Sequence, residues 1–325
     1  MSTESITYLY DVITDVASPL PPCKLEAPGG ELLRLIVKGE VTDCDWQKLA
    51  ECAARYKNVT IVYSVRQGVR LDLCFLKFFS NIHEVCLHSH WYAKATGLEE
   101  LDHLPDDLEK LTLSVNNSKL SLGLVKRLKN LKDLQVTGTL ADMEVLAGLG
   151  KLESLLLNTS TLPDIAILGS LKGLKKISVY HGSNSDLSVL GGLPRLEDVF
   201  LWRIRGLSSL DWLAELVPLQ QLEIGGQIQV RDIPPLKKQT KLRRVRMDQM
   251  KGLTSLSWLA AASGLAEVHL SAMDQLTVDD YRCLVGHPAL QRLTSGFKSR
   301  KKKLAVAEMT ELPDVTYPQL NLREF

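Results

Sequence analysis

A six-residue phrase, leucine first and apolar again at positions four and six, returns along this chain at a nearly constant step. It reads LEKLTL at 108, LKDLQV at 131, LESLLL at 152, LKKISV at 174 and LEDVFL at 196. LQQLEI at 219, LRRVRM at 242, LAEVHL at 265 and LQRLTS at 290 continue it, with steps of 21 to 25 residues. Weaker copies stand upstream: LLRLIV at 32, YKNVTI at 56 and IHEVCL at 82. Twelve units therefore cover most of the 325 residues.

Apolar residues two apart point to the same face of a short strand, and the residue between them points the other way. Each phrase is followed by a second apolar segment, such as MEVLAGLGK, IAILGSLKG or LDWLAELVP. Its spacing suits one or two turns of α or 3₁₀ helix. Neither half can bury its apolar side alone, but stacked copies can, with each strand pairing to the next. An ordinary leucine-rich helical bundle explains neither the period nor the β-branched residues at positions four and six. The expected fold class is α/β, a solenoid with a curved parallel sheet on its concave face and short helices or 3₁₀ turns on the convex face.

The pattern L-x-x-L-x-L followed by a second leucine segment resembles the leucine-rich repeat. It is most similar to the short 22–23-residue class of internalin-like bacterial proteins. The resemblance is strong over 108–290 and weak before 108. One departure stands out. The asparagine that the family places three residues after the last strand leucine occurs as Asn116, whereas Thr139, Ser160, Gly182 and Ile204 stand at other turns. Turn backbone groups must then be satisfied in another way. The expected organisation is an N-terminal cap over 1–31, degenerate repeats over 32–107, regular repeats over 108–303 and a C-terminal cap over 304–325. Thr42 with Asp45, and Thr277 with Asp280, are read as capping-box starts of two true helices.

Charge does not direct the whole chain to nucleic acid or membrane, since Lys+Arg is 39 against Asp+Glu 38. A hydrophobic content of 45% excludes a disordered or collagen-like chain. The first twenty residues carry Glu4, Asp11 and Asp15 and no basic start, so they read as no secretory leader. Six cysteines, five of them within the first 86 residues and none in a CxxC pair, read as reduced thiols of a cytoplasmic protein.

Catalytic motifs fail in detail. Gly150-Lys151 lacks both the preceding glycine and the following hydroxyl of a phosphate loop, and no GxSxG occurs. Cys86, His88 and His90 alternate in CLHSHWY and would share one face of a strand, a ligand set that zinc accepts. A metal-binding protein using them is one alternative reading; solvent-facing polar residues is the other. Residues 237–303 hold 14 basic residues against 5 acidic, and the run Lys298 to Lys303 carries five of the cations. It reads as a solvated loop before the C-terminal cap, with an acidic protein partner as the functional alternative. It lacks the aromatic interleaving and motifs of nucleic-acid binders.

Phrase positions three, five and seven line the open side of the sheet. Leu156, Tyr180, Phe200 and Trp202 are apolar or aromatic where solvent is expected, and Arg203, Arg244, Arg246 and His269 follow on the C-terminal side. Contiguous exposed apolar surface marks a binding site, and Tyr, Trp and Arg dominate interface energies. These eight residues are the expected partner-binding set. The expected function is a non-catalytic scaffold, monomeric on its own, that engages a protein partner through its concave face. By the resemblance it would sequester or inhibit that partner as immunity proteins do. A regulatory or adaptor subunit docking on an enzyme such as a phosphatase is the alternative. No cofactor, nucleic acid or membrane is expected.

Overall fold

Every repeat phrase from 32 to 265 folds as a strand whose fourth and sixth residues point inward, as the two-residue period requires, and the phrase at 290 keeps Leu293 inward in a strand that ends at Thr294. The structure is a computed structural model and describes residues 11–26, 28–65, 71–89, 95–114, 119–162, 165–184 and 186–312, the side chains of Val65, His88 and Ser89 apart. These residues fall into two compact units, one ending at Thr159 and the other beginning at Ser160.

In the first unit the strands are β1 (Asp11–Val16), β2 (Gly30–Val37), β3 (Tyr56–Val65), β4 (Ile82–Ser89), β5 (Lys110–Ser114), β6 (Asp133–Thr137) and β7 (Ser154–Thr159). Each pairs in parallel with the next. In the second unit β8 (Lys176–His181), β9 (Asp198–Trp202), β10 (Gln221–Gly225), β11 (Arg244–Asp248), β12 (Glu267–Ser271) and β13 (Arg292–Thr294) do the same. Parallel strands need a crossover, and single 3₁₀ turns supply it in most repeats, as in Ala166–Ser170, Ser188–Gly192 and Asp211–Glu215. The first leucine of each phrase from 108 to 265, such as Leu131, Leu196 or Leu242, is fully buried. Each such side chain contributes about 1.5–3 kcal/mol by its burial.

The repeat that begins at Leu219 has no helical turn; its return segment carries Pro234 and Pro235, which supply no N–H for one. Gln239 substitutes for it: its buried side-chain amide donates to the carbonyls of Leu213 (3.0 Å) and Ala214 (3.1 Å) in the preceding repeat.

The missing turn asparagines are replaced by backbone geometry. Arg203 (φ 51°), Gly226 (φ 67°) and Gln249 (φ 52°) follow their strands in the left-handed conformation. Their N–H groups donate to the next repeat, to Gly225 O (2.9 Å), Asp248 O (2.9 Å) and Ser271 O (3.0 Å). The ladder is thus extended one residue past the strand, which satisfies the donors that an asparagine would otherwise serve. Asn116 itself lies outside the described residues.

Four expectations are corrected in detail. A strand, β1, precedes the first recognised phrase; Ile13 and Val16 are its inward residues, with the ladder register shifting between them and Asp15 at φ 53°. Thr42 caps α1 (Asp43–Ala53) by accepting from the Asp45 N–H (3.4 Å), but Asp45 does not reach back to Thr42. Its carboxylate instead accepts from Ser18 Oγ (2.6 Å) and the Leu20 N–H (3.3 Å), while the Thr42 N–H donates to Ser18 Oγ (2.8 Å). The segment opened by Thr277 is 3₁₀ rather than α, Asp279–Leu284, with Asp280 accepting from both the N–H (2.7 Å) and the hydroxyl (2.8 Å) of Thr277. The basic run is not a loop: Arg300 to Lys303 form the first turn of α2 (Arg300–Thr310), capped by Ser299, whose hydroxyl accepts from the Lys302 N–H (3.4 Å). Among the described residues no helix is long and apolar enough to cross a membrane.

Candidate functional site

The parallel register of the second unit sets its outward residues in rows across the strands. One row holds Tyr180, Trp202 and Gly225, and the row beside it Ser178, Phe200 and Glu223. The Tyr180 and Phe200 rings lie 4.6 Å apart between centroids, and those of Phe200 and Trp202 6.4 Å apart and near parallel. The glycine opposite Trp202 gives that ring its seat, because a Cβ on Gly225 would stand 2.1 Å from an indole carbon. Arg203, turned out by its left-handed backbone, brings its guanidinium within 5.6 Å of the Trp202 ring centroid. This is cation–π distance, and Gly226 leaves the space for the arginine stem.

Phe200 departs from the expected exposed position. It is 6% exposed, flanked by its two aromatic neighbours, so it supports the surface that Tyr180 and Trp202 present half-buried. Burial pushes the Tyr180 hydroxyl up to about 12, with the Glu223 charge adding to the effect, so it remains a neutral hydrogen-bond donor near neutral pH.

The other expected residues divide. Arg244 is committed within the sheet: its Nε donates to Glu267 (2.9 Å) and its Nη1 to Gln221 (3.0 Å), while Arg292 holds the other Glu267 oxygen (2.5 Å). Trp202, Arg203, Arg246 and His269 instead line a cleft of about 690 Å³, together with Glu223, Ser295 and the segment leading into α2. Leu156 belongs to the first unit, half-buried on the open face beside Gln135 of the neighbouring strand. Composition gave little warning of Glu223 or of the 295–303 wall. Glu223 was legible only as an outward position, and its enclosure depends on Phe200 and Arg246 to either side. Burial raises its carboxyl above the ordinary carboxylate range, against the pull of Arg246, Arg244 and Lys176.

Cys86 does point outward from β4, as its alternation implies, but its thiol meets Glu84 (3.7 Å) and Thr112 (3.9 Å). His90 lies outside the described residues, as does the side chain of His88. Among the described residues no three His, Cys, Asp or Glu side chains come together as a metal site. Burial, reinforced by Glu84, pushes the Cys86 thiol up to about 11. Two units above an ordinary thiol leaves about a hundredth of the reactive thiolate at neutral pH. Native-state alkylation mapped by mass spectrometry is therefore expected to label the exposed Cys23 and Cys44 well before Cys86. Equal rates would contradict this environment.

No protein-family model and no curated protein matches the chain. Among solved structures, the chain is similar to an internalin from Listeria monocytogenes, with TM-score 0.65 and 23% identity over 95% of this chain and 87% of that one. It is also similar to a leucine-rich-repeat protein from Leptospira interrogans, with TM-score 0.52 and 14% identity over 92% of each chain. These likenesses are of fold: the chain has the leucine-rich-repeat architecture.

Proposed function

We propose that this leucine-rich-repeat protein is a non-catalytic scaffold that binds one protein partner through the open sheet face of its second unit. The observation that carries the reading is the aromatic platform of Tyr180 and Trp202, supported from below by Phe200 and flanked by Arg203. Such a surface is already ordered before binding. Its strands are laddered and its rings are seated, so association loses little conformational freedom. Tyr, Trp and Arg together also form the composition that concentrates binding energy at interface centres.

The finer reading is sequestration: the partner is held one to one and its activity is masked, as an immunity protein masks a toxin. The chain works in this reading as a cytoplasmic monomer, consistent with six free cysteines, two of them exposed.

The test is capture of a partner from the native source with the wild-type chain, followed by assay of that partner free and bound. One protein recovered at one-to-one stoichiometry and inactive in the complex is the expected result. A stoichiometric partner whose activity is retained or redirected would make the chain an adaptor. No stoichiometric partner would remove the scaffold reading.

A further inference from the structure

The 690 Å³ cleft of the second unit is built differently from the aromatic platform beside it. Its floor is one row of outward residues, Glu223, Arg246, His269 and Thr294, in register across β10 to β13. Its far wall is the segment from Ser295 to Lys298, followed by Lys303 of α2. That wall is fixed from behind. The Gly296 N–H donates to the buried Tyr281 hydroxyl (3.1 Å), Lys298 N–H donates to Asp274 (2.9 Å), and Lys302 lies 4.8 Å over the Phe297 ring.

Three features bear on what enters. The first is charge. Arg203, Arg246, Lys298 and Lys303 border the cleft against only Glu223 and Asp248. Among the described residues, Arg203, Lys298 and Lys303 have no carboxylate at ion-pair distance. The first turn of α2 holds no acidic residue, so its cations crowd the positive end of the helix, where an anion is favoured. The second is hydrogen bonding. Glu223 Oε1, on the cleft floor, has no hydrogen-bond partner within the described protein. Buried polar groups of this kind are costly unless a ligand meets them. A main-chain N–H of an entering chain suits this carboxylate oxygen. The third is length. Four strands in register span about 14 Å at ~4.8 Å spacing, which an extended chain covers with about four residues.

We propose that this cleft receives an extended, acidic segment of the protein partner, about four residues long, with a large apolar side chain laid against Trp202. The inference rests on the protein-binding reading above and specifies the chemistry of what is bound. It also gives the basic run a role: Lys298 and Lys303 meet the acidic side chains, and Arg203 and Arg246 face them from the sheet.

The probe is a fluorescein-labelled Glu-Glu-Phe-Glu-Glu peptide, titrated with the full chain and followed by fluorescence polarisation. Saturable binding is expected at low salt, weakening as salt is raised. The double variant Lys298→Glu, Lys303→Glu is expected to bind at least about tenfold more weakly, at an unchanged melting temperature. Lys303 stands in the first turn of α2, where an acidic residue is favoured, and Lys298 is exposed ahead of the Ser299 cap, so this variant should fold. Lys-Lys-Phe-Lys-Lys is expected not to bind. Absence of saturable binding to the acidic peptide, equal binding by the charge-reversed variant, or tighter binding of the basic peptide would each overturn the inference. So would displacement by inorganic phosphate as effective as by unlabelled peptide, which would assign the cleft to a small anion. If a captured partner is lost with Trp202→Ala but kept by the charge-reversed variant, the scaffold reading stands and this inference falls.

Discussion

Trp202→Ala is expected to weaken binding of the protein partner by about 30-fold or more, near 2 kcal/mol, with little loss of stability. The ring is partly exposed in the free protein, so some of its apolar area is left for a partner to cover. It rests on Gly225, which offers no side chain to collapse into the space it would vacate, and it stacks with Arg203. Truncation therefore removes the ring and frees the arginine from its fixed position. Titration calorimetry with the captured partner reads the affinity, and thermal unfolding reads the stability. Phe200→Ala is the internal control: at 6% exposure it should lower the melting temperature where Trp202→Ala does not. A fall in melting temperature for Trp202→Ala that accounts for the lost binding would mean that the ring is packing.

Trp46→Ala is expected to cost about 3–5 kcal/mol of stability in the first unit. Trp46, on α1, stacks on Phe75 at 4.5 Å between centroids and lies 6.0 Å from both Tyr63 and Phe79. All four residues are buried, so the cluster serves where the leucine ladder of the regular repeats is weakest. A cavity left by indole inside three other rings cannot collapse without moving β3 or the following 3₁₀ turn, Cys74–Phe78. Denaturant unfolding followed by far-UV circular dichroism should show an early transition in the variant. Repeat arrays can unfold in stages, so the loss is read from that transition rather than from a single midpoint. A change below about 1 kcal/mol would contradict the packing described.

The strands and their inward leucines were legible because a 22–23-residue period and a two-residue alternation coincide in the same phrases. β1 was hidden because a register shift separates its inward residues by three, Ile13 to Val16, and so breaks the alternation. The turn chemistry was hidden for a different reason. Arg203, Gln249 and Ala272 adopt the left-handed conformation without being glycine or asparagine, so residue type carries no signal there. In the basic run, cations at a helix start oppose the helix dipole and conceal the cap that Ser299 provides. At the site, strand parity correctly assigns Tyr180, Phe200 and Trp202 to the outward face. It cannot say that two of these rings flank the third, because one of them, Tyr180, comes from the neighbouring repeat. The cleft was less legible still: its floor comes from residues about 23 apart and its far wall from a segment outside the repeat phrase.

The most direct measurement is hydroxyl-radical footprinting of the protein alone and in complex with its captured partner, read residue by residue by mass spectrometry. Trp202 and Tyr180 are expected to be oxidised in the free protein and protected in the complex, with the buried Trp46 slow in both. If Trp202 and Tyr180 react equally in the two states while protection falls on the 3₁₀ turns or on the first unit, the partner binds elsewhere and the aromatic platform is not its docking surface.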